Sequence, residues 1–303
     1  MDPIRDLNTD INSLAPGASR SGNARRDFVR TALGSGFAAA VLPVMAQSVI
    51  KTPTDGLEVG EVTIPVGDFK MPAYRAAPAG RSNLPVVLVV SEIFGVHEHI
   101  ADVAVRFARQ GYLAIAPELF IRQGDASSYG EIAKLISEVI AKVPDEQVMG
   151  DLDACLDWAA AHGGDTRRSA ITGFCWGGRI TWLYAAHQPP RQPAVKAGVA
   201  WYGRLVGQSS PLTPRHPVEL AGELKAPVLG LYGGHDGGIP LATVEQMKAA
   251  LAQGSAAGKR SSFTVYPEAP HAFHADYRPS YVKAAAEDGW ARCLRWLRDQ
   301  GAA

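Results

Sequence analysis

Residues 57–65 and 68–76 alternate apolar and polar side chains on either side of Gly67 and Asp68, a pattern that predicts an antiparallel hairpin with a tight turn. The pattern then changes: 85–90 (Pro-Val-Val-Leu-Val-Val) is a continuous apolar run of strand length, as found where helices cover both faces of a parallel sheet. Shorter apolar runs at 112–116, 169–173, 195–202, 228–233 and 262–266 predict further strands. Between and after them, helical periodicity predicts helices over 100–110, 129–141, 145–161, 179–187, 241–251 and 281–297. Strands alternating with helices of this length define an α/β fold with a mainly parallel central sheet, helices on both faces and an N-terminal antiparallel hairpin. No internal repeat occurs, and nothing between 57 and 299 reads as a domain linker, so a single domain is expected over 57–303. Residues 203–220 carry three prolines and little periodicity, and are long enough to cap a site rather than merely connect two strands.

Composition narrows the function. The 303-residue chain is 47% hydrophobic, which supports a sizeable core, and its 30 basic side chains balance 30 acidic ones. Without a basic block, electrostatic capture of nucleic acid or an anionic membrane surface is not expected. Cys155, Cys175 and Cys293 are odd in number and widely spaced, which excludes a disulfide framework and a zinc ribbon. The N-terminus has its own order: a polar stretch, then Arg25-Arg26-Asp27-Phe28, an uncharged run over 31–42, and small residues ending at Ala46. This resembles a twin-arginine export signal over residues 1–46, followed by a linker over 47–56. The uncharged run, interrupted by Gly34 and Gly36, falls short of the about 20 residues that span a bilayer. A periplasmic or exported protein without stable membrane insertion after cleavage is therefore expected; without such a signal the location would be cytoplasmic.

The sharpest chemical signal is Gly173-Phe-Cys175-Trp-Gly-Gly178, which ends one predicted strand and opens a helix. This is the pattern of a nucleophile elbow with Cys in place of Ser: small residues two before and two after the nucleophile let strand and helix approach closely. The turn exposes the sulfur, and the helix N-terminus and the next backbone N–H stabilise a thiolate and then an oxyanion. No Gly-x-Ser-x-Gly competes. An elbow needs an acid and then a histidine from later strand ends, in that order. Asp236 follows the strand 228–233 through a glycine turn, and His271 follows 262–266; His235 and His274 are rivals for these roles. After the buried strand 85–90 comes Ser91-Glu92-Ile93-Phe94-Gly95-Val96-His97-Glu98-His99. Ile93 N–H is the expected partner of Trp176 N–H in an oxyanion hole. Glu92, beside a thiol in a partly dry pocket, is expected to have a raised pKa and to take the thiol proton. His97 and His99 have the look of a metal pair, but no third ligand follows at a suitable spacing, so neither metal nor cofactor is expected.

From about 57 to 299, the chain resembles the dienelactone hydrolase (carboxymethylenebutenolidase) family of α/β-hydrolases. The motifs that carry the resemblance are Glu92-Ile-Phe-Gly-Val, Gly173-Phe-Cys-Trp-Gly-Gly, Trp201-Tyr-Gly, Gly234-His-Asp236 and His271-Ala-Phe-His. It implies a Cys175–His271–Asp236 triad that opens a lactone, with the carboxylate matching Glu92 holding the resting thiol. It also implies arginines that bind the substrate carboxylate, displace Glu92 and let it deprotonate Cys175. Arg122 matches one of them. The other is expected four residues beyond the histidine, where Ala275 stands; Arg278 is the available substitute. An arginine that pairs a carboxylate in bidentate fashion favours anionic esters or lactones. Phe94, Trp176 and Tyr202 are expected to line the pocket. The expected partner is thus a small-molecule ester or lactone, bound by a monomer or small homo-oligomer. A broader carboxylesterase or acyl transferase, or a binding protein that has lost turnover, are the alternatives.

Overall fold

The structure is a computed structural model and describes residues 50–303; the expected export signal lies outside the described residues. Strands β1 (Leu57–Val66) and β2 (Phe69–Pro78) pair antiparallel in register from Leu57↔Pro78 to Val66↔Phe69. The turn between them needs Gly67, whose φ is +57°. β2 then joins β4 (Leu113–Pro117) antiparallel, and the remaining strands are parallel: β3 (Leu84–Val90), β5 (Gly164–Phe174), β6 (Ala197–Trp201), β7 (Val228–Gly233) and β8 (Ser262–Tyr266). The spatial order is β1-β2-β4-β3-β5-β6-β7-β8.

The central strands are buried on both faces, and Val86 to Val90 are wholly inaccessible. Each such aliphatic side chain contributes about 1.5–3 kcal/mol of transfer free energy, which is why the sequence shows an unbroken apolar run rather than alternation. The covering helices are α1 (Glu98–Arg109), α2 (Ile132–Glu138), α3 (Asp145–Ala161), α4 (Trp176–Ala186), α5 (Leu241–Ala252), α6 (Ala256–Arg260) and α7 (Lys283–Asp299). No helix among the described residues is long and apolar enough to cross a membrane.

The order of strands positions the site. The chain leaves β3 to one side, to β4, and later returns to its other side as β5. This is a topological switch point, where the connections after adjacent strands part and leave a crevice at their carboxyl ends. Val90 pairs with Gly173 at the last rung. The residues after β3 (Ser91, Glu92) and after β5 (Cys175) are therefore neighbours in that crevice.

Three local expectations change. The helix expected over 129–141 is shortened to α2, flanked by single 3-10 turns at Ala126–Ser128 and Ile140–Lys142. Val139 leaves helical geometry (φ −121°, ψ −68°), and it and Ile140 are buried in the core. The helix expected over 179–187 begins earlier, at Trp176, directly on the elbow. The short helix α6 has no counterpart among the expected elements. The 203–220 loop contains one 3-10 turn, Pro217–Leu220, and is pinned down. His216 is buried with its Nε2 on the Gln208 carbonyl (3.0 Å), and Arg179, paired fork to fork with Asp145 (2.7 Å twice), donates to the Arg215 carbonyl.

Candidate active site

Cys175 sits between β5 and α4 with φ +54° and ψ −112°, a conformation that costs a non-glycine residue about 1–3 kcal/mol. The surroundings impose it. A Cβ at Gly173 would lie 2.1 Å from the Gly177 carbonyl oxygen, and one at Gly177 would lie 2.4 Å from that of Val90. The strand end and the helix start are packed backbone to backbone, so the chain turns within one residue. The Cys175 amide donates to the Trp201 carbonyl on β6 (3.0 Å), and its own carbonyl accepts from the amides of Gly178 and Arg179. Trp176, the first residue of α4, has one of the leading amides for which a helix offers no internal partner.

Asp236 follows β7. One carboxylate oxygen accepts the amides of Gly238 (2.9 Å) and Ile239 (3.1 Å), and the other bonds His271 Nδ1 at 2.7 Å. Both residues are buried. Burial alone would depress the His271 pKa, but the neighbouring Cys175 thiol, its interaction with the ring and the Asp236 carboxylate outweigh it and hold the value well above 6.5. His271 Nε2 is buried and meets no well-aligned hydrogen-bond partner among the described residues. The rival histidines lie elsewhere. His235 is exposed beside Glu268, and His274 is buried among Trp201, Phe174 and His99, where burial pushes its pKa far down.

Glu92 is buried and ion-pairs with His97 (Oε2 to Nε2, 3.3 Å). The expectation of a raised pKa is reversed. Burial does push it up, but the His97 hydrogen bond and the charges of His97, His99 and Arg278 overcome this and bring it down to about 2. Burial also shifts the His97 pKa down, against the opposing pull of Glu92. The pairing was hidden because His97 and His99 were weighed only as a metal pair, for which no third ligand followed. Among the described residues no group of three His, Cys, Asp or Glu side chains could hold one.

The two arginines separate. Arg122 lies beyond β4 with both terminal nitrogens on Asp151 of α3 (2.6 and 2.8 Å) and its guanidinium 4.1 Å from the Phe69 ring centre. Its bidentate face is thus already occupied by a fully buried carboxylate. Arg278 is 9% exposed and stacks over Phe94 (4.8 Å) and Tyr277 (5.1 Å). Among the described residues the one hydrogen bond of its side chain is from Nε to Tyr277 Oη (3.1 Å), and Glu92 and Cys175 both lie within its electrostatic reach. Tyr202 adopts φ +39° with its ring 5.1 Å from that of His271. Its hydroxyl is buried without a hydrogen-bond partner among the described residues, and burial, then the nearby Glu92, Tyr277 and Cys175, keep it protonated. Trp176 is half-buried and packs edge-on against Phe120. Tyr277, which bridges Arg278 and His97 (3.5 Å), was not anticipated; its place between Asp276 and Arg278 gave no sign of which way it would turn.

An open, mainly parallel sheet, a cysteine at positive φ in the tight turn after its fifth strand and a buried His–Asp pair from the seventh and eighth strand ends define an α/β-hydrolase. The sequence of the Dienelactone hydrolase family matches residues 71–301, and the chain belongs to that family of carboxylic ester hydrolases. It is 58% identical over 298 residues to the "Putative carboxymethylenebutenolidase" of Methylorubrum extorquens, covering 98% of this chain and 99% of the relative. With the protein of the same name from Escherichia coli it shares 53% identity over 268 residues, 88% of this chain and 96% of the relative. The crystal structure of a "Putative Dienelactone Hydrolase" from Klebsiella pneumoniae superposes with a TM-score of 0.76 at 56% identity, over 80% of this chain and 99% of that one.

Proposed function

We propose that the chain hydrolyses small esters or lactones that carry a carboxylate, with Cys175 as nucleophile. The observation that carries the proposal is the buried His271–Asp236 pair at 2.7 Å beside a thiol held on the elbow. His271 Nε2 takes the thiol proton, and Asp236 fixes the ring so that this nitrogen faces Cys175. The sulfur adds to the substrate carbonyl carbon, and the amides of Ile93 and Trp176 receive the oxyanion. As the acyl carbon–oxygen bond breaks, His271 returns the proton to the leaving oxygen. It then activates a water that cleaves the thioester and regenerates the thiol. A carboxyl group held near 2 is a poor base for a resting thiol, so the first transfer falls to His271. Glu92 gains basicity when a substrate carboxylate neutralises Arg278, one of the charges that keep it ionised.

Arg278 is the anion anchor in this reading. Its terminal nitrogens are uncommitted to other described residues, whereas those of Arg122 are engaged by Asp151. Phe94 and Tyr202 supply aromatic surface around the bound substrate. The test is a panel of esters and lactones with and without a carboxylate. Cys175→Ala is expected to remove turnover of all of them, and Arg278→Gln to lower kcat/KM roughly tenfold or more for the charged members alone. Wild-type rates in Cys175→Ala, or equal losses for charged and neutral substrates in Arg278→Gln, would overturn the respective assignments. We also propose that residues 1–46 direct export through a twin-arginine route; a chain that begins at Met1 and is confined to the cytoplasmic fraction would exclude it.

A further inference from the structure

A second buried carboxylate–histidine pair lies beside the active one: His99 Nδ1 and Asp276 Oδ1 are 3.0 Å apart, and both side chains are almost inaccessible. The other ring nitrogen, His99 Nε2, is buried without a hydrogen-bond partner among the described residues. The His99 ring packs against Phe174, His274 and Tyr277. Asp276 carries a further bond instead, accepting from Arg106 Nη2 at 2.8 Å, while Arg106 Nε donates to Asp102 at 2.6 Å. Asp102 also receives the amide and hydroxyl of Thr52. His99, Asp102 and Arg106 all belong to α1, whose lead-in carries Glu92, Phe94 and His97.

Asp276 stands between His271 and Arg278 on a connection without strand or helix. Its internal backbone bonds close successive turns, Ala275 to Ala272, Arg278 to Ala275 and Tyr281 to Arg278, and one longer bond, Val282 to Phe273, ties its two ends together. None of these backbone bonds reaches α1 or the segment that carries Phe94. We propose that Asp276 is a positioning residue for substrate specificity: by fastening the 271–278 connection to α1, it holds Arg278 over Phe94, where the guanidinium can receive a substrate carboxylate. The proposal rests on the reading of Arg278 as the anion anchor. Bidentate recognition depends on placement, so a displacement on the order of 1 Å costs charged substrates more than neutral ones. In Asp276→Asn the side chain keeps its size but presents an amide N–H₂ to one of two groups that now donate to a carboxylate.

Alkylation of the elbow thiol separates the two ideas. Iodoacetate and iodoacetamide react alike, the thiolate sulfur forming a bond to carbon as iodide leaves, but only iodoacetate carries a carboxylate. Cys155 and Cys293 are buried, so the rapid phase reports Cys175. Asp276→Asn is expected to lower the iodoacetate-to-iodoacetamide rate ratio roughly tenfold while iodoacetamide alone changes less than about twofold. In turnover, KM for a carboxylate-bearing ester is expected to rise by a similar factor with kcat nearly unchanged. Arg278→Gln should lower the same rate ratio. If Arg278→Gln lowers it and Asp276→Asn does not, the positioning role is overturned and the anchor stands. If neither lowers it, the anchor itself fails and the positioning role falls with it. Equal slowing of both reagents in Asp276→Asn would mean a general effect on the thiol and would also overturn the proposal. Should Asp276→Asn not fold, Arg106→Gln, which leaves the His99 bond in place, carries the same expectation.

Discussion

Replacing Arg122 by Met tests whether this arginine is a strut or a substrate ligand. Its guanidinium makes two short hydrogen bonds to Asp151, which is 0% exposed, and stacks on Phe69. Removing one partner of a buried pair leaves the other uncompensated, at about 3–5 kcal/mol where burial is complete. Arg122 is 22% exposed, so water can reach part of the gap, and about 2–4 kcal/mol is the expected loss. For a domain of this size that lowers Tm by roughly 5–12 °C. The loss should depend on pH. Burial already raises the Asp151 pKa against the pull of Arg122, and without Arg122 it rises further. The destabilisation therefore grows as pH climbs through the carboxylate range and fades in acid, where Asp151 is protonated in either protein. The assay is thermal unfolding of wild type and Arg122→Met between about pH 4 and 8, with the double variant Arg122→Met, Asp151→Leu. An apolar pair of similar volume is often neutral, so the double variant should recover most of the loss. KM for carboxylate-bearing esters should not change selectively. A Tm within about 2 °C of wild type, together with a raised KM for those esters alone, would refute the reasoning and make Arg122 a substrate ligand.

Two further outcomes follow from the same geometry. Gly177→Ala should destabilise by about 3 kcal/mol or prevent soluble expression, because the added Cβ would meet the Val90 and Ser91 carbonyl oxygens at 2.4 and 2.6 Å; a normal denaturation midpoint would contradict the close approach. Glu92 has a folded-state pKa near 2 against an ordinary 4.5, so its ionised form contributes stability above about pH 4.5 that disappears as pH falls toward 2. Subtracting the acid unfolding curve of Glu92→Gln from that of wild type should show this slope, and a difference independent of pH would disprove the assignment.

What could be read from the sequence was whatever the backbone itself demands. The elbow was legible because strand, cysteine and helix can meet in one residue only if Gly173 and Gly177 have no side chains, and the sequence shows both. Asp236 and His271 were legible because each follows a short apolar strand and a turn, which placed them at neighbouring strand ends. The Val139 break in the helix expected over 129–141 was not, since its apolar period continues while the residues turn into the core. Electrostatic roles were the least legible, and for a common reason. Arg122 stands at a strand end where an anion anchor would be useful, yet its occupant is Asp151 on a helix 29 residues away. The sign of the Glu92 shift depends on His97, five residues on, and on Arg278, which only the fold brings near. The bond from His99 to Asp276 spans 177 positions. A lone carboxylate in a dry crevice should hold its proton, and the sequence supports that reading of Glu92; a carboxylate with a donor and a guanidinium within reach should not. Local pattern therefore brings the candidate residues to one crevice, whereas the pairing of charges across it decides which carboxylate is ionised and which arginine keeps its terminal nitrogens clear of a carboxylate.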